Sequence, residues 1–63
     1  MVDVKRAIIS IQAQIHAQTG RRTDAHYKSG YGCLFVDEGE ELRPENIIYV
    51  ADELEIQMRG FTL

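Results

Sequence analysis

Apolar residues recur along the first third of the chain at helical spacing. Val4, Ile8, Ile11 and Ile15 follow one another at i, i+4, i+7 and i+11, with Ala7 on the flank. At 100° per residue the four fall within about 60° of one another on a helical wheel. Asp3, preceded by Val2, suits the N-cap, and the pattern ends at Thr19-Gly20, where Gly20 suits the position after a C-cap. The spacing predicts a helix over 3–19.

From Arg21 to Asp37 the period shortens. Ala25 and Tyr27, then Leu34 and Val36, alternate with more polar neighbours, and Ser29-Gly30 lies between them as a two-residue turn. That turn sets Lys28 opposite Tyr31, Tyr27 opposite Gly32, His26 opposite Cys33 and Ala25 opposite Leu34. One predicted sheet face then holds Ala25, Tyr27, Gly32, Leu34 and Val36. The other holds His26, Lys28, Tyr31, Cys33 and Phe35. A slip of one residue exchanges the faces of one strand relative to the other.

An acidic loop, Asp37-Glu38-Gly39-Glu40-Glu41, follows. Pro44 fits the first turn of a second helix over 44–55, with Ile47, Val50, Ala51 and Leu54 on one face and Tyr49 on the far side. The tail from Ile56 to Leu63 starts with alternation, has Gly60 where a bulge fits, and reads as a third strand. The expected order is α-β-β-α-β. Two helices on one face of a three-stranded sheet give a small two-layer α+β sandwich. With no repeat, linker or low-complexity run, residues 1–63 read as a single domain.

Size bears on function. A chain of 63 residues buries about 60% of its unfolded surface and has a thin core. Cys33 has no partner for an intrachain disulfide, and His16 and His26 are the only histidines, so neither a disulfide nor a structural zinc site supplements it. Good packing or a partner surface must serve instead. Apolar residues make up 44% and charged residues 27% of the chain, an ordinary globular balance. No apolar run reaches the roughly 18 residues of a membrane span. The N-terminus leads straight into an amphipathic pattern, unlike a signal peptide. With a lone thiol, these features place the expected compartment in the cytoplasm.

The formal net charge of −3 is unevenly spread. Residues 37–55 carry eight acids against Arg43, while residues 20–32 hold Arg21, Arg22 and Lys28 against Asp24. The protein is acidic overall with one basic segment, which speaks to partners rather than to fold.

Two surfaces are candidates for binding. The first is the predicted open sheet face of His26, Lys28, Tyr31, Cys33 and Phe35. Contact with protein, including a second copy of the chain, is its leading reading, because exposed apolar patches mark interfaces. The alternative is single-stranded nucleic acid, with bases stacked on Tyr31 and phosphates held by Arg21, Arg22 and Lys28. The acidic total weighs against that alternative. The second surface is a stripe on the back of helix 1, Ile9, Ala13 and His16, at i, i+4 and i+7. An isoleucine there fits helix–helix contact across a dimer, and the small alanine permits close approach.

Other features carry less. Gly20-Arg21-Arg22-Thr23 follows a helix end, not a start, so it is no phosphate-cradling loop. The acids from Asp37 to Glu41 lack the spacing of a calcium loop. With Glu45, Asp52, Glu53 and Glu55 they form at most an anionic face for a basic partner. Cys33 opposite His26 is the one nucleophile–base pairing the register offers, and no third residue orients the histidine. The sequence therefore predicts a non-catalytic interaction domain that acts as a homodimer, with no cofactor, no metal and no membrane contact.

Overall fold

The computed structural model describes the backbone of residues 4–52 and the side chains of residues 6–52. Helix α1 runs Val4–Thr19, and its C-terminus closes as expected: the Gly20 amide donates to the His16 carbonyl at 2.8 Å. Strands β1 (Thr23–Lys28) and β2 (Gly32–Asp37) form an antiparallel hairpin. A 3-10 turn over Pro44–Asn46 then leads directly into β3 (Ile47–Ala51). The strand order is β1-β2-β3, all neighbours antiparallel, with β2 in the centre. Among the described residues this is one helix on a three-stranded sheet, an α+β domain.

The second helix predicted over 44–55 is therefore corrected. Residues 47–51 spell Ile-Ile-Tyr-Val-Ala, a short β-branched and aromatic run. A run of that length satisfies a helical face and a buried strand equally, and its composition favours the strand. Pro44 does begin a helical turn, but that turn closes on itself through an Asn46 amide to Arg43 carbonyl bond of 2.9 Å. The end of the expected helix at 53–55 and the expected strand in the tail lie outside the described residues.

The hairpin register is also corrected, by one residue. Lys28 pairs with Gly32, Tyr27 with Cys33, His26 with Leu34 and Ala25 with Phe35. A two-residue Ser29-Gly30 turn would require positive φ at Ser29. Among the described residues only glycines take positive φ. Instead Ser29, Gly30 and Tyr31 make a three-residue loop, with the Tyr31 amide bonded to the Lys28 carbonyl at 3.0 Å and Gly30 at φ 85°.

With this register, Ala25, Cys33, Phe35, Tyr49 and Ala51 share the face that α1 covers. Ala7, Ile11 and Ile15 meet Cys33, Phe35 and Ala51 in one core cluster, flanked by Ile8, Ala25, Ile48 and Tyr49. The helix thus seats on Ala7–Ile11–Ile15, with Ile8 at the margin. Between Phe35 and Val36 the β2–β3 pairing shifts, so that Ile48 is the extra residue of a bulge and reaches the core beside Tyr49. The Phe35 and Tyr49 rings lie 5.9 Å apart at 57°, a tilted pair that adds about 0.5–1.5 kcal/mol to simple burial. On the opposite face Leu34 and Val36 are buried as well.

Candidate interaction surface

The five residues expected on one open sheet face are not brought together. Cys33 and Phe35 lie in the core beneath α1 and present no surface. His26 and Lys28 project from the other face. Tyr31 is in the hairpin loop, 64% exposed, with the Lys28 ammonium 5.5 Å from its ring centroid. His26 is half-buried and its Nε2 has no hydrogen-bond partner.

The nucleophile–base pairing is not assembled either, because Cys33 and His26 point to opposite faces. Burial pushes the Cys33 thiol above its ordinary pKa of 9.0, partly offset by a backbone hydrogen bond at His26. A thiol so placed is a poor source of thiolate.

Among the basic residues, Arg21, which is exposed, pairs with the half-buried Asp37 at 3.8 Å. Lys28 and Tyr31 sit at the other end of β1. At roughly 3.3 Å per residue, the length of β1 separates the arginines from the stacking tyrosine.

The helix stripe is where the structure concentrates accessible chemistry. Ile9 is 62% exposed, and Ala13 and His16 are exposed beside it. Together with Gln12 they form one wall of a shallow, open cleft of about 430 Å³. Arg22, Thr23 and Asp24, at the start of β1, form the other wall, with Glu38 at the end. Asp24 is partly engaged, accepting the Gly39 amide at 3.1 Å. Thr23 is buried at 6% exposure, yet its hydroxyl has no hydrogen-bond partner.

Among the described residues, the cleft borders a free strand edge. The Glu38 amide donates to the Arg22 carbonyl at 2.9 Å. That sets the phase of the hairpin: Asp24, His26 and Lys28 direct their backbone groups to β2, and Thr23, Ala25 and Tyr27 direct theirs outward. The Thr23 carbonyl accepts the Gln12 side-chain amide at 2.5 Å. Among the described residues, the outward groups of Ala25 and Tyr27 have no partner. Sequence reasoning found Ile9, Ala13 and His16 but not this edge or the roles of Gln12 and Thr23. Alternation marked β1 as a strand, but its edge position depends on strand order.

A second concavity lies over the acidic loop. There Glu41 pairs with Arg43, and its carbonyl accepts the Asn46 side-chain amide at 2.9 Å. Among the described residues no group of acids, histidines and cysteine is placed to hold a metal ion, and no helix is long and apolar enough to cross a membrane. No protein-family model, curated protein or solved structure matches the chain significantly.

Proposed function

We propose that this chain is a non-catalytic interaction domain that acts through protein–protein contacts, self-association foremost, in the cytoplasm. The observation that carries the reading is Ile9, 62% exposed at the lip of a cleft that borders a free strand edge. An isoleucine on the outer flank of the helix contributes nothing to the core beneath it. Covering the exposed part of it in an interface gains about 1–2 kcal/mol per copy. A reduced, buried Cys33 suits an intracellular protein.

A nucleic-acid reading draws less support, because Arg21 is engaged by Asp37 and stands a strand's length from Tyr31. Sedimentation of the full chain from micromolar to millimolar concentration tests the proposal. Concentration-dependent association is expected, with Ile9→Lys weakening it at least about tenfold. A wild-type chain that stays monomeric throughout, and binds mixed single-stranded oligonucleotides at low salt, would replace this reading with the nucleic-acid one.

A further inference from the structure

Among the described residues β1 is an edge strand. The outward N–H and C=O groups of Ala25 and Tyr27 are a template on which another strand can pair. The side chains beside them select which strand. From residue 24 to 28 the chain reads Asp-Ala-His-Tyr-Lys, with opposite charges at equal distance on either side of His26. Building on the self-association reading above, we propose that β1 pairs antiparallel with β1 of a second copy, about a twofold axis at His26.

In this register Ala25 stands opposite Tyr27 of the partner subunit, and Tyr27 opposite Ala25 of the partner subunit. Each of these pairs exchanges two backbone hydrogen bonds, so the four form from the groups that otherwise have no partner. Asp24 stands opposite Lys28 of the partner subunit, and the symmetry repeats the contact. These are non-hydrogen-bonded positions, where facing side chains come closest and opposite charges interact best.

Neighbouring registers fit worse. Centring the axis on Ala25 sets Arg22 against Lys28 of the partner subunit and draws on the Thr23 carbonyl, which Gln12 already occupies. Centring it on Tyr27 sets His26 against Lys28 of the partner subunit and leaves Asp24 opposite a glycine. The charge pattern favours a second copy over an arbitrary extended peptide, because this sequence run in reverse supplies the complementary pair from its own residues.

The helix completes the fit. A twofold axis normal to the sheet keeps both helices on the same face. Of the three strands, α1 comes closest to β1, so each copy turns its Ile9 and Ala13 flank towards the other. The small Ala13 permits helices to approach at the usual 8–10 Å.

A charge exchange tests the register. Lys28→Asp sets acid against acid twice, Asp24→Lys sets base against base twice, and each should weaken self-association about tenfold. An equimolar mixture of the two variants restores both attractive contacts, and association should recover. Recovery also shows that both variants are folded. Independently, amide hydrogen exchange of the wild-type chain should slow at Ala25 and Tyr27 as concentration rises.

Association that responds to Ile9→Lys, but neither to the charge exchange nor at these two amides, overturns β1 pairing and leaves the interaction reading in place. A chain that never associates overturns both.

Discussion

The side-chain amide of Gln12 donates to the main-chain carbonyl of Thr23 at 2.5 Å, tying the middle of α1 to the first residue of the edge strand. It is the one described tie from a helix side chain to the outer edge of β1. Gln12→Met keeps the length of the side chain and removes the donor. The expected cost is about 1 kcal/mol, the usual worth of a part-buried hydrogen bond. A denaturant midpoint unchanged from wild type would show that the contact is idle.

The hydroxyl of the same Thr23 has the opposite status. Its residue is 6% exposed and its Oγ1 has neither donor nor acceptor partner. A buried hydroxyl without a hydrogen bond costs free energy that an isosteric methyl does not. Thr23→Val preserves β-branching and volume, and should raise stability by about 1 kcal/mol. A lower melting temperature in the variant would mean that the hydroxyl is satisfied in solution.

Two glycines of the hairpin separate backbone strain from collision. Gly30 sits at φ 85° with open space where a Cβ would project, whereas Gly32, at φ 90°, would drive a Cβ into the carbonyl oxygen of Ala51. Gly30→Ala should cost about 1–2 kcal/mol, the penalty of a left-handed conformation alone. Gly32→Ala adds displacement of β3 from β2 and should cost at least about 1 kcal/mol more. Equal losses from the two substitutions, measured by chemical denaturation, would refute the close approach of Gly32 to β3.

What the sequence disclosed follows from how local each signal is. The helix from Val4 to Thr19 repeats its apolar period over about three turns and ends on a glycine, so little else fits it. Ile47 to Ala51 is too short for period to decide between helix and strand, and the apolar spacing of Ile47, Val50 and Ala51 suggested the wrong one. The hairpin was legible, but its register hung on whether Ser29 would accept positive φ. That single conformational fact moved Cys33 and Phe35 from a supposed open face into the core, and separated them from His26 and Lys28. The Ile9 stripe was readable because it lies on the helix. The free edge of β1 was not, because being an edge is a property of the whole sheet.

Cys33 gives a prediction that pH can read. Burial raises its pKa in the folded chain above the ordinary 9.0, so the folded state holds the thiol proton more tightly than the unfolded state does. The contribution is fully present below about pH 9 and is lost as pH rises from the unfolded value through the folded one. Tyrosines and lysines also titrate in that range, so the informative quantity is the difference from Cys33→Ala. That variant should be less stable at neutral pH by about 1 kcal/mol, from lost packing of one small buried side chain. The gap between the two proteins should narrow above pH 9, as ionisation penalises only the thiol. At neutral pH, Cys33 should also react with alkylating reagents more slowly than a free thiol. A gap that stays constant through the alkaline range, or an alkylation rate at or above that of a model thiol, would show that Cys33 is not held in the core.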